Sequence, residues 1–173
     1  MILTGPRIQA EVEQGNITLH PFDPKLVNPN SYDFRLGSTL KIYKHRELDV
    51  RRPNATETIT IPESGYTLRP DILYLGHTIE TMGSDKFVPV IRGKSSTGRV
   101  GLFVHITADL IDLGWHGQST LMLHAVQPVT VYPGMRIGQV TFWSVLGDPK
   151  LYDGKYQGSR GPMASQAHRD FQS

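Results

Sequence analysis

Between two apolar runs the chain carries Gly93-Lys94-Ser95-Ser96-Thr97-Gly98-Arg99. Small residues, hydroxyls and two fixed positive charges form the donor set of an anion cradle. Backbone N–H groups are uncrowded, O–H donors stand beside them, and Lys94 and Arg99 supply charge. Gly93-Lys94-Ser95 matches the end of a Walker A loop. The glycine that motif needs five positions earlier is Val88, however, and no helix pattern follows. The competing reading is a hairpin connection with solvated charges. A second group is "HITADLIDLGWHG", from His105 to Gly117, where Asp112 precedes a Gly-aromatic turn containing Trp115. A carboxylate beside an aromatic ring suits a sugar, the first bonding a hydroxyl and the second packing under the ring. The same residues also describe a polar loop around a partly buried tryptophan. A third group, Tyr152, Lys155 and Arg160, lies in "LYDGKYQGSRGP" and by itself reads as a solvated terminus.

The elements that must position these residues are mostly strands. Thr4, Pro6, the Ile8/Val12 pair and Gly15 predict one short opening helix. Thr58–Ile61 alternates; Ile72–Ile79, Phe87–Ile91, Val100–Ile106, Ser119–Val126 and Ile137–Val145 are short apolar runs. Turns at Gly114, Gly117 and Pro133-Gly134 separate them. Many short strands with Gly and Pro punctuation predict an all-β sandwich or barrel rather than βαβ units. No internal repeat or linker divides the chain, so 1–173 reads as a single domain. From about Asp148 it turns polar and Gly-rich, a mobile tail that orders over a partner or ligand.

Composition narrows the function. The 173 residues are 38% hydrophobic and 20% charged, enough for one core. A net charge of +2 is too small for the footprint of a nucleic-acid binder. No segment approaches the roughly 20 apolar residues of a membrane span, and no signal-peptide run opens the chain. There is no cysteine, which removes thiolate metal sites and is compatible with a reducing compartment. These features predict a cytoplasmic protein with neither nucleic acid nor membrane as partner.

Five motifs in order, "GKSSTGRVGL", "HITADLIDLGWHG", "STLMLHAV", "YPGMRIGQV" and "YDGKYQG", together with the earlier "NPNSYDFRLG", resemble the dCTP deaminase branch of the dUTPase-like superfamily. The resemblance covers nearly the whole chain. It implies a distorted, jelly-roll-like β-barrel with a short N-terminal helix and a flexible C-terminal tail. It also implies a homotrimer with nucleotide sites at subunit interfaces. By position, Lys94, Ser95, Ser96, Thr97, Gly98 and Arg99 would hold the triphosphate. Asp112 would bond the deoxyribose hydroxyl, and Trp115 would lie near the sugar. Thr120, Leu121 and Met122 would line the nucleotide, while Tyr152, Lys155 and the Ser159 position would close from the tail. Magnesium would accompany the triphosphate, with no protein side chain as its ligand. Zinc is not expected, because the zinc deaminases need a His-x-Glu and Pro-Cys-x-x-Cys set that a chain without cysteine cannot supply. In the family resembled, a glutamate acts as general base.

At that glutamate's position, in the usual T-L-E-L, this chain has Met122. A thioether cannot accept a proton from water, and losing a general base typically costs about 10²–10⁴-fold. Strand alternation predicts Leu121, Leu123 and Ala125 in the core, with Thr120, Met122 and His124 on the opposite face. His124 is a stand-in base only if about 7 Å along the strand can be bridged. In the tail, where the family reads K-Y-x-x-Q, Ser159 replaces the amide. Three readings follow: deamination of dCTP or a 5-substituted dCTP, dUTPase-like pyrophosphate release using Asp112, or nucleotide binding without turnover.

Overall fold

The computed structural model describes residues 1–172; Ser173, the last residue of the tail, lies outside the described residues. The chain begins with α1 (Gly5–Glu13), in which Ile8 is buried and Val12 packs against the core. Thr4 stands at the N-cap, yet its side chain makes no capping bond. Its carbonyl receives the Ile8 N–H instead. Gly15 reverses the chain at φ 75°, a conformation that favours glycine.

Strands follow: β1 (Thr18–His20), β2 (Val27–Asn28), β3 (Ser31–Arg35), β4 (Thr39–Tyr43), β5 (Thr56–Thr60), β6 (Tyr66–Leu68), β7 (Tyr74–Gly83) and β8 (Phe87–Gly93). After the one-turn helix α2 (Ser95–Arg99) come β9 (Leu102–Phe103), β10 (His116–Ala125), β11 (Val129–Val131) and β12 (Arg136–Ser144). The larger sheet runs β5-β4-β7-β10-β9, with β1 also on β7; a second runs β2-β3-β12-β8, and β6 pairs with β11. The all-β expectation holds. Among the described residues, however, the ladders remain separate sheets rather than one closed barrel. A Leu36↔Thr78 bridge ties the end of β3 to β7, and a Val90↔Leu110 bridge ties β8 to the loop before β10. One core cluster joins Tyr32, Phe34, Ile91 and Phe142 of the smaller sheet to Tyr74, Met82, Leu121 and Leu123 of the larger. Burial of this apolar area is the main stabilising term.

Three expectations need correcting. Gly117, read as a turn, lies within β10 opposite Met82 in the ladder with β7. The run Val100–Ile106 is not one strand: only Leu102–Phe103 pairs, with His124–Ala125. Gly101, at φ 80°, turns the chain just before it. The segment 95–99, read as a loop, closes one helical turn, with Thr97 Oγ donating to the Lys94 carbonyl at 2.9 Å. Alternation in β10 is as expected, since Leu121, Leu123 and Ala125 are buried while Thr120, Met122 and His124 are half-buried.

Buried charges are paired where they cross between elements. Glu80 is fully buried and accepts both the backbone N–H (2.9 Å) and Nε (2.7 Å) of Arg35, joining β3 to β7. Burial raises the Glu11 carboxyl pKa, but bonds from Asn16 and Lys86 and the Arg7 charge outweigh it, so the net shift is downward.

Candidate functional site

A cavity of about 450 Å³ opens along one face of β7 and β10. Leu75 and Met122 face each other across the ladder, and Thr120 stands beside them, partnered with His77. The register shifts between Gln118 and Thr120, so Gln118, Ser119 and Thr120 all reach the cavity. A bulge beside a site re-aims side chains in this way. The loop before β10 contributes Ile111, Asp112 and Trp115, and β4 contributes Tyr43. Asp112 is exposed, and it is the only carboxylate among the described residues of the lining. Trp115 is buried, and its Nε1 donates to the Tyr156 carbonyl at 2.6 Å.

The tail forms the remaining wall of the cavity. Residues after Asp148 run back along β10 of their own chain and bond to it repeatedly. Tyr152 N–H donates to the Leu113 carbonyl (2.7 Å), Gly158 N–H to the His116 carbonyl (3.0 Å) and Gln118 N–H to the Ser159 carbonyl (2.8 Å). Met163 N–H reaches Thr120 Oγ at 3.0 Å, and Ser165 N–H reaches the Tyr43 hydroxyl at 3.0 Å. Two glycines make this approach possible. A Cβ on Gly114 would stand 2.7 Å from Leu151 Cβ, at a backbone φ of 85°. One on Gly117 would meet the Ser159 backbone at 2.9 Å. The segment "GWHG", a turn at Gly114 running into the start of β10, is thus the seat of the tail.

Of the residues singled out in the sequence, the cavity gathers Asp112, Trp115, Thr120, Met122, Tyr152 and Ser159. Ser159 is buried, and its hydroxyl is spent on the Tyr156 carbonyl at 2.7 Å. The structure places the others elsewhere. Leu121 turns its side chain into the core. His124 lies past Met122, its ring 6.2 Å from that of Phe103. Lys155 pairs with Asp170. Lys94, Ser95, Ser96, Thr97, Gly98 and Arg99 form a separate surface feature around α2, and none of them lines this cavity of the same chain. Ser95, Ser96 and Arg99 are exposed, whereas Thr97 is buried. Arg160 is exposed at the tail's edge.

Sequence reasoning missed Tyr43, Leu73, Leu75, Met163 and Ala164, all in the lining. Pairing of β10 with β7 would have supplied Leu75, since cross-strand neighbours share a face. Burial on both faces of β7 hides that alternation. Nothing local marks Tyr43 or Met163, which arrive through tertiary contacts. Among the described residues, no group of three or more His, Asp or Glu side chains converges to hold a metal ion, and no helix is long and apolar enough to cross a membrane.

An all-β scaffold with an apolar cavity, one carboxylate, an aromatic wall and a separate basic turn fits one class of fold, the dUTPase-like fold. The solved 2'-deoxycytidine 5'-triphosphate deaminase of Agrobacterium tumefaciens has this fold. It superposes with a TM-score of 0.65 over 82% of this chain at 22% identity, and the match spans 47% of that longer chain. The family model "dCTP deaminase-like" matches residues 2–145. Among curated relatives, the "dCTP deaminase, dUMP-forming" of Clostridium beijerinckii is 44% identical, with 99% of both chains covered. That of Leptospira biflexa is 43% identical over the same share. The chain belongs to the dCTP deaminase-like family.

Proposed function

We propose that this protein is a dCTP deaminase-type hydrolase acting on a pyrimidine deoxynucleoside triphosphate. In the proposed reaction, water adds at C4 of the cytosine ring of dCTP, or of a 5-substituted dCTP. Ammonia leaves, and the uracil-type nucleotide is the product. The observation that carries this reading is the single cavity in which Asp112, Trp115, Thr120, Met122, Tyr152 and Ser159 meet. Family membership over the full chain supports it. Asp112 would bond the deoxyribose hydroxyl, with Trp115 beside the sugar. Met122, with Leu73 and Leu75, would face the base. A thioether there suits an apolar substituent at C5 and supplies no proton acceptor.

A second reading has its own observation. Asp112 is the only carboxylate among the described lining residues, so water activation in this cavity falls to it. An aspartate set beside the sugar is closer to the phosphate chain than to C4. This favours cleavage of a triphosphate to the monophosphate and pyrophosphate, and the relatives' name "dCTP deaminase, dUMP-forming" likewise ends on a monophosphate.

The reading also includes a homotrimer with shared sites. The exposed donors Ser95, Ser96 and Arg99 do not line their own chain's cavity, so a neighbouring copy's α2 would complete the site. Magnesium would enter as the triphosphate's counter-ion, a part of the substrate. The proposed setting is the cytoplasm. To test the function, dCTP, 5-methyl-dCTP and dUTP are each incubated with protein and the products resolved by chromatography. Ammonia with a uracil-type nucleotide supports deamination, and pyrophosphate supports the second reading. Bound but unchanged nucleotide would refute both and leave a binding protein.

A further inference from the structure

Lys94 differs from its neighbours in the basic turn. Ser95, Ser96 and Arg99 are exposed, and among the described residues their side chains make no hydrogen bond or ion pair. The Lys94 ammonium instead rests on the carboxylate of Asp33, the two side chains being 24% and 3% exposed. Asp33 lies in β3 and is itself fixed. Its second oxygen accepts from Asn28 Nδ2 at 2.8 Å. Its cross-strand neighbour Gln139 accepts from Ser31 Oγ at 2.9 Å and donates to the Gly93 carbonyl at 3.5 Å. The Lys94 carbonyl is held in turn by Thr97 Oγ. Both ends of this lysine are therefore anchored, and the anchor at the charged end is a buried carboxylate in a different strand.

An ammonium has three N–H donors. One bonds Asp33, which leaves two donors of a partly exposed side chain uncommitted, next in sequence to the exposed Ser95, Ser96 and Arg99. A free lysine loses substantial rotamer entropy when a ligand immobilises it. A lysine already held loses little. We propose that Asp33 is a positioning residue for polyphosphate binding, holding Lys94 so that its free donors meet the triphosphate without further ordering. The proposal rests on the reading of residues 93–99 as the triphosphate cradle. The role is specific to the phosphate chain: a ligand without β- and γ-phosphates gains nothing from it.

The test uses the full-length protein and calorimetric titration with magnesium dCTP and with dCMP. Asp33→Asn should weaken dCTP binding by roughly 5- to 30-fold, the range of one lysine's rotamer entropy. It should leave dCMP binding within about twofold. Should Asp33→Asn fail to fold, Asn28→Ala removes the bond that steadies Asp33, together with a longer one to the Leu26 carbonyl at 3.4 Å, and it should weaken dCTP in the same selective way by a smaller factor. Unchanged or tighter dCTP binding in the folded variant, or equal loss for dCTP and dCMP, overturns the proposal. Arg99→Gln separates the two levels. If it weakens dCTP while Asp33→Asn does not, only the positioning role is lost. If neither variant weakens dCTP, the cradle reading falls as well.

Discussion

Replacing Met122 by glutamate puts a carboxylate where the family resemblance implies a general base. Methionine and glutamate are similar in length and volume, so the change opens no cavity in β10. Met122 is half-buried and opens onto the 450 Å³ pocket, with Leu75 across the ladder and Thr120 two residues away. A carboxylate here keeps part of its hydration. The cost is set by an incompletely paired polar group, about 1–3 kcal/mol. For a chain of this size, each kcal/mol lowers Tm by roughly 2–4 °C. Against that, a positioned general base contributes about 10²–10⁴-fold to a proton-transfer step. Met122→Glu should therefore melt several degrees lower and yet release ammonia from dCTP at least ~100-fold faster than the parent. A coupled ammonia assay alongside dCTP titration measures both. A variant that binds dCTP as the parent does and gains no turnover would refute the argument that the missing carboxylate limits deamination.

Four other outcomes follow from the same geometry. Asp112→Asn should abolish pyrophosphate release from dUTP while leaving the unfolding free energy within about 0.5 kcal/mol of the parent, because Asp112 is exposed; unchanged release would remove Asp112 from the chemistry. Gly114→Ala should undock the tail, since the new methyl would lie 2.7 Å from Leu151 Cβ at a φ of 85°. Limited proteolysis should then cut after residue 148 faster than in the parent, and equal rates would contradict the seat assigned to "GWHG". Leu123→Ala, at a fully buried position, should cost about 2–5 kcal/mol in denaturant unfolding, against under about 1 for Thr120→Ser. Burial lowers the pKa of His77 below 6.5, only partly offset by its bond to the Thr78 carbonyl. Both states are neutral above 6.5, so its contribution is intact there. As pH falls below 6.5 the unfolded chain takes the proton first, and stability drops by up to about 1.4 kcal/mol per pH unit from this group. Melting at pH 7.5 and 5.5 should show that loss in the parent and a smaller one in His77→Gln.

The sequence carried most of the strand order because its signals were local. Alternation in β10 put Leu121 and Leu123 in the core and Met122 on the opposite face, and Gly114 marked the turn that the tail now covers, whereas Gly117 is a strand residue opposite Met82. The run 100–106 misled because apolar content alone cannot distinguish a strand from a turn anchored by Leu102 and Val104, both buried. β3 gave no alternating signal because Ser31 and Asp33 are buried with Tyr32 and Phe34. Their polar groups are satisfied by Gln139, Asn28 and Lys94, which no spacing rule predicts. The cavity was half legible. Asp112, Trp115 and Thr120 belong to motifs, while Tyr43 and Met163 enter only because β4 and the tail converge on β10.

The central claim is that this chain holds a pyrimidine deoxynucleoside triphosphate against Met122 and Asp112. Equilibrium dialysis of the protein with labelled dCTP in magnesium buffer tests it most directly. Retention at or below about 1 mM nucleotide, reduced by Arg99→Gln and by a bulky Thr120→Trp in the pocket, is the predicted result. No retention of dCTP, 5-methyl-dCTP or dUTP at that concentration would contradict it.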